Sequence, residues 1–234
     1  GDELDAVVQR YARRTAAASS APDRYSLLQP DVWQSVQERQ RAMLRLFAAL
    51  NLHPVSRLRV AEVGCGAGGN LLELLRMGFA ADRLAGVELL PERFAQARHA
   101  LPAELALWRG DASQWAVRPG SQHIVLQSTV FSSLLDNAFQ HKLADAMWSW
   151  LAPGGGVLWY DFTMNNPRNP DVRGVPMKRV RELFPQAVIR QRRVTLAPPI
   201  ARAVCRVHPG LYHLFNAVPA LRTHVLAWLE KPAP

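Results

Sequence analysis

Apolar residues recur along this chain at two periods. In the first 50 residues the period is helical. Leu4, Val7, Val8 and Tyr11 share one face of a stretch running from Leu4 to Ala18. Val32, Val36, Met43, Leu44 and Phe47 share a face of a second stretch that ends near Leu50, with Asp31 as its expected N-cap. Residues 19–23 read as the linker between them. From Leu58 onward, short apolar runs alternate with helical stretches. Strands are predicted over 58–63, 84–89, 105–108, 123–127 and 157–162. Helices are predicted over 70–77, from Pro91 onward, and from a cap at Asp136 through Leu151, where Pro153-Gly154-Gly155-Gly156 stops the helix.

After residue 162 the alternation weakens. Residues 165–174 form a polar, turn-rich loop. A short helix at 177–184 follows, then strands at 188–196 and 223–229 separated by an apolar, basic insert. Alternating strands and helices predict a parallel sheet with right-handed crossovers and a ligand crevice at the carboxyl ends of the strands. Those ends carry residues 62–66, Glu88, Asp111, residues 127–129 and Asp161. The expected organisation is a helical cap over 1–55 on an α/β domain over 56–234. That domain includes the loop 163–176 and a lid-like insert at 198–219, and the whole forms one structural domain.

Composition narrows the classes of function. Nearly half the residues are apolar, enough for a sizeable core. No apolar stretch has the length of a membrane span, and none at the start reads as a signal peptide. The two cysteines, Cys65 and Cys205, lack metal-ligand spacing, so a reduced cytoplasmic protein without a metal site is expected. The net charge of +9 is unevenly placed. Residues 1–163 hold 16 basic and 16 acidic residues, whereas residues 164–234 hold 12 basic and 3 acidic ones. The last third could therefore meet an anionic substrate, nucleic acid or a membrane surface, or simply be a solvated basic face.

The candidate chemistry centres on Glu62-Val63-Gly64-Cys65-Gly66-Ala67-Gly68-Gly69-Asn70, between the first strand and its helix. Gly64-x-Gly66-x-x-Gly69 fits a dinucleotide fingerprint, with Glu88 at the distance of a ribose-binding acid. Glu62 argues against that reading, because pyrophosphate is anionic and a site for it would not favour an acid two residues before the first glycine.

Four spaced features resemble class I S-adenosylmethionine-dependent methyltransferases. They are Glu62-x-Gly64-x-Gly66-x-Gly68, Glu88 closing the second strand, Gly110-Asp111-Ala112 after the third, and Leu151-x-Pro153-Gly154-Gly155 before the fifth. The resemblance covers residues 58–162 and, more loosely, the last strands. It implies a Rossmann-like seven-stranded, mostly parallel sheet with helices on both faces. The implied cofactor is S-adenosyl-L-methionine, leaving as S-adenosyl-L-homocysteine. Glu62, Gly64, Cys65, Gly66, Gly68, Asn70, Glu88, Leu89, Asp111, Ala112 and Gln127 are its candidate contacts. Glu88 would accept the ribose hydroxyls and Asp111 the adenine amino group, while Glu62 would favour the cationic methionyl end. Asn70 reads equally as a helix cap, and Gln127 as facing either the cofactor or the acceptor.

Methyl transfer is an in-line displacement governed by alignment. A hydroxyl acceptor would also use a base, for which Asp161, Tyr160 and His141 are candidates. Tyr25, Thr129, Phe131, Asn165, Asn166, Arg168 and Arg173 are placed to flank the acceptor. Residues 159–174, with the later stretches 196–199 and 221–224, also resemble a bacterial methyltransferase group whose acceptors are unassigned. The favoured reading is transfer, preferably to oxygen, on a small-molecule, lipid or saccharide acceptor. The alternatives are an RNA or protein methyltransferase using the basic last third, and an NAD(P)-dependent oxidoreductase.

Overall fold

The structure is a computed structural model that describes residues 2–18, 26–165 and 169–233. Two helices come first, α1 (Asp2–Ala18) and α2 (Pro30–Ala49). The central run is β1 (Val60–Val63), α3 (Gly69–Arg76), β2 (Leu84–Glu88), α4 (Pro91–Ala100), β3 (Ala106–Arg109), β4 (Gln122–Ser128), α5 (Asn137–Trp150) and β5 (Leu151–Phe162). The last third adds α6 (Met177–Leu183), β6 (Val188–Leu196), α7 (Pro198–Val207), α8 (Leu211–Asn216) and β7 (Arg222–Glu230).

The seven strands form one sheet in the order β3-β2-β1-β4-β5-β7-β6. Strands β1 to β5 are parallel, and β7 runs antiparallel to both β5 and β6. The chain builds outward from β1 to β3, then returns to place β4 on the other side of β1. The ends of β1 and β4 therefore diverge, and a crevice opens between them.

Both faces of the sheet are covered, which is why β1 is buried at all four positions, Glu62 included. On one face Val7 of α1 packs with Leu143, Met147 and Trp150 of α5 and Val180 of α6. On the other, Met43 and Phe47 of α2 pack with Leu71 and Leu74 of α3 and Ala97 of α4. Leu196, Ala201, Cys205 and Tyr212 make a small separate cluster under the insert.

Several local expectations change. Asp31 is not the cap of α2: Pro30 takes the first helical position after Gln29, and Asp31 falls in the first turn. Leu44 is exposed, and Ala42 lies in the stripe instead. Asn70 lies inside α3, whose cap is Gly68. The turn at Pro153 does not separate helix from strand. Strand β5 already begins at Leu151, and its pairing with β4 shifts register there. Gly156 is needed for packing, because a Cβ there would collide with the Trp228 indole of β7.

Candidate functional site

The glycine loop leaves β1 at the head of the crevice. Gly64, Gly66 and Gly68 all have φ in the left-handed region, at 61°, 58° and 88°. Sterics agree with the backbone: a Cβ on Gly64 would sit 2.7 Å from Val130 Cγ2, and one on Gly68 would sit 2.8 Å from Leu101 Cδ1. Gly69 is different. It is helical, and a Cβ there would meet nothing within 4 Å. The glycines that the fold requires are therefore 64, 66 and 68, not the 64, 66 and 69 of a dinucleotide fingerprint, whose third glycine serves close helix–strand packing.

Glu88 ties this loop to the end of β2. Its Oε2 accepts from Gly66 N at 2.7 Å and its Oε1 from Leu90 N at 2.8 Å. Two backbone donors hold the carboxylate still and leave further lone pairs open. Asp111 stands at the end of β3. It accepts from Ser113 N at 2.8 Å and from Ser113 Oγ, so its orientation is also set in advance.

These groups line a cavity of about 400 Å³. Gly64, Cys65, Gly66, Asn70, Glu88, Leu89, Asp111 and Ala112 all contribute to its wall, as does Thr129. Cys65 is buried, and that burial, reinforced by the Glu62 and Glu88 charges, pushes its thiol pKa up. It is therefore a packing thiol rather than a nucleophile.

Glu62 lies one layer deeper, fully buried. Asn70 Nδ2 donates to its Oε1 at 2.6 Å, while its Oε2 is buried with no partner among the described residues. Burial pushes its pKa up to about 8, against the lowering effects of Asn70 and Arg39. The chain of contacts continues outward. Arg39 Nη2 donates to Asn70 Oδ1 at 3.0 Å and lies 3.5 Å from Glu73 Oε1. The Arg39 guanidinium also stands 5.1 Å from the centre of the Tyr160 ring.

The opposite wall is shared by Leu4, Val7 and Tyr11 of α1 with the segment after β4, through Val130, Ser133 and Leu134. This helix is pinned at two points to the segment after β4. Glu3 Oε1 accepts from Leu135 N at 2.7 Å, and Arg10 Nη2 donates to Ser133 O at 3.0 Å and to Glu3 Oε1 at 2.7 Å. The insert over 198–219, expected as the lid, contributes no residue to this cavity.

Other expected residues stand away from the wall. Gln127 is fully buried, and its Oε1 accepts from Val130 N at 3.1 Å. Phe131 is a core residue, its ring 4.7 Å from that of Trp159. Asp161 is buried and accepts from Ser132 N at 3.1 Å and Phe162 N at 3.0 Å, so it anchors the turn after β4. Burial pushes its pKa up to about 7 against those hydrogen bonds. The Tyr160 hydroxyl is 2.8 Å from Thr195 Oγ1 and its ring stacks on His224, outside the cavity. His141 is exposed on α5, with its Nε2 3.1 Å from Arg179 Nη1. Asn165 and Arg173 hold the loop after β5: Asn165 Oδ1 accepts from Gly174 N, and Arg173 Nη2 donates to Asn137 Oδ1. Tyr25, Asn166 and Arg168 lie outside the described residues. The wall residues Arg39, Arg93, Leu4, Val7 and Tyr11 were not among the expected site residues. The apolar stripe of α1 was the one visible signal for the last three.

Among the described residues no group of His, Cys, Asp and Glu is arranged to hold a metal ion, and no helix is long and apolar enough to cross a membrane.

A family model described as a methyltransferase domain matches residues 60–155. No curated protein matches the chain. Among solved structures, an S-adenosylmethionine-dependent methyltransferase from Archaeoglobus fulgidus superposes with a TM-score of 0.60 at 12% identity, covering 83% of this chain and 96% of that one. Another from Mesorhizobium loti gives 0.59 at 16% identity, covering 81% and 97%. Phosphoethanolamine N-methyltransferase 2 of Haemonchus contortus, in complex with S-adenosyl-L-methionine, gives 0.58 at 17% identity, covering 83% of this chain and 52% of that one. At such identities the superpositions speak for the fold. Residues 60–155 match a methyltransferase domain, and the chain around them has the fold of S-adenosylmethionine-dependent methyltransferases.

Proposed function

We propose that this chain is an S-adenosylmethionine-dependent methyltransferase acting on a compact small-molecule acceptor held beside α1. The observation that carries this reading is the size of the cavity and the apolar wall that α1 gives it. About 400 Å³, lined by the glycine loop on one side and by Leu4, Val7 and Tyr11 on the other, suits one ligand of cofactor size with a small acceptor at the open side. A cavity of this size takes a small acceptor whole, whereas a folded RNA or protein could insert only a single group.

The residues present fit the cofactor. S-adenosyl-L-methionine supplies an electrophilic methyl group on a sulfonium. Gly64 and Gly66 leave backbone exposed where side chains would otherwise stand. Glu88 keeps lone pairs for a pair of vicinal hydroxyls, and Asp111 and Ala112 offer an acceptor and a backbone N–H for an adenine edge. Beneath them Glu62 has an unpaired buried oxygen and a raised pKa, which a neighbouring cation would relieve. Arg39 at the wall offers a guanidinium for a carboxylate.

The same wall bears on the acceptor atom. A hydroxyl needs a base, and Asp161 is committed to Ser132 and Phe162 instead of facing the cavity. Ser128, Thr129, Ser133 and Tyr11 are polar wall residues near the apolar cover, and none is a strong base at neutral pH. This favours an acceptor that brings its own lone pair, such as an amine, thiolate or phenolate, over a neutral alcohol, and narrows the transfer to oxygen expected from sequence to acidic hydroxyls. The chain's part is then alignment and exclusion of water.

Incubation with methyl-labelled donor and cell extract, followed by fractionation, tests the proposal. Label should enter the low-molecular-weight fraction, and Glu88→Ala should abolish incorporation by removing two charge-assisted contacts, about a hundredfold in donor affinity or more. Label appearing in RNA or protein would overturn the small-molecule assignment.

A further inference from the structure

The charge excess of the last third is partly gathered into a second recess, on the outer side of α2. Its volume is about 300 Å³, and its wall includes Arg41 and Arg45 of α2, Arg192 of β6, Arg222 at the start of β7 and His213 of α8. Helix α2 separates it from the methyl-donor cavity: Arg39 lines the first, while Arg41 and Arg45 line the second.

Four guanidinium groups around one concavity repel one another, and among the described residues Glu38 is the sole acid in the wall. Its Oε2 is already taken by Thr195 N at 2.9 Å. Among the described residues Arg41, Arg45 and Arg192 form no ion pair. Arg222 is held in place: its Nε donates to Asn216 O at 2.7 Å and its Nη1 to Arg193 O at 3.0 Å. Unbalanced like charge around a preset arginine is the arrangement that a multiply charged oxyanion stabilises, through charge-assisted and forked hydrogen bonds.

We propose that this recess is a phosphate-binding site, distinct from the methyl-donor cavity and independent of what the enzyme methylates. A phosphate monoester or diphosphate matches both its charge and its size. The same helix that brings His213 to the wall exposes Leu214 and Phe215. The phosphate can thus be carried by a soluble molecule or by a lipid headgroup, and the two sources separate experimentally.

The test uses the full chain in two arms, titration with inorganic pyrophosphate and co-sedimentation with vesicles of phosphatidylcholine with or without phosphatidic acid, whose headgroup is a phosphate monoester. Two double variants of equal charge loss are compared. Arg45→Gln with Arg192→Gln alters the recess. Arg181→Gln with Arg206→Gln removes exposed arginines elsewhere in the last third. All four side chains are exposed, and melting temperature with S-adenosylhomocysteine affinity reports on an intact fold and first cavity. The recess variant should bind about tenfold more weakly in whichever arm the wild type binds, with the control variant close to wild type. Pyrophosphate binding identifies a soluble carrier; binding only to phosphatidic acid vesicles identifies a lipid. Absence of binding in both arms, an unaffected recess variant, or equal losses in both variants would overturn the proposal.

Discussion

The two walls of the main cavity are built by opposite means. The β1–β3 side uses backbone: left-handed glycines, N–H groups and two carboxylates already oriented by Gly66, Leu90 and Ser113. The α1 side uses side chains, Leu4, Val7 and Tyr11, on a helix held by Glu3 and Arg10 to the backbone of Leu135 and Ser133. The first wall cannot move without breaking the sheet end. The second can separate from the cavity by losing a few hydrogen bonds and the burial of one helical stripe. A cofactor common to many acceptors suits the rigid wall, and selection of one acceptor suits the replaceable one.

The largest effect that would break this contrast lies in the glycines. Gly64→Ala should cost about 2 kcal/mol or more in denaturant unfolding, from its left-handed φ and the clash with Val130. Gly69→Ala should be neutral or stabilising by up to about 1 kcal/mol, since the helix gains alanine and nothing is displaced. Equal costs at both positions would remove the argument for a 64-66-68 loop.

Next comes pH. Glu62 has its pKa raised to about 8, so between its unfolded value near 4.5 and 8 the folded chain holds a proton that the unfolded chain lacks. Its contribution to stability is therefore full below pH 4.5 and is lost as pH rises through 8. A bound cation reverses the preference and favours the carboxylate. Affinity for the sulfonium donor should accordingly rise by up to about tenfold from pH 6.5 to 9, by proton-linked calorimetry. Glu62→Gln should flatten that dependence, and an unchanged slope would exclude Glu62 as its source.

The smallest effect concerns the movable wall. Glu3→Ala with Arg10→Ala removes both pins of α1 at once. The expected result is a several-fold rise in acceptor KM, with S-adenosylhomocysteine affinity within about threefold of wild type. A loss falling mainly on S-adenosylhomocysteine would show that α1 serves the cofactor instead.

How far the site was legible follows the same division. The places of Gly64, Gly66, Glu88 and Asp111 on the cavity wall were readable because each sits at a strand end within a few residues of a turn, where local spacing fixes position; Gly68 shapes the loop without lining the cavity. Gln127, Phe131 and Asp161 also sit at or just after strand ends, but position at an end does not say which way a side chain points. Phe131 turns into the core and Asp161 toward the backbone of Ser132. Arg39 carries no local mark at all: its partner Asn70 is 31 residues further on.

Hydrophobic period and turn chemistry alone determined the alternation of strands and helices, the parallel core and the glycine loop, since these are short-range consequences of backbone sterics and apolar spacing. Tertiary structure decided what closes the cavity. The sequence marked both α1 and the insert as covers, and only packing put α1 on the wall and the insert elsewhere. It also decided that arginines separated by as many as 181 residues, from Arg41 to Arg222, meet in one recess. Charge along a chain adds up to a net value, but electrostatics depends on distance in space, and the fold alone sets that distance.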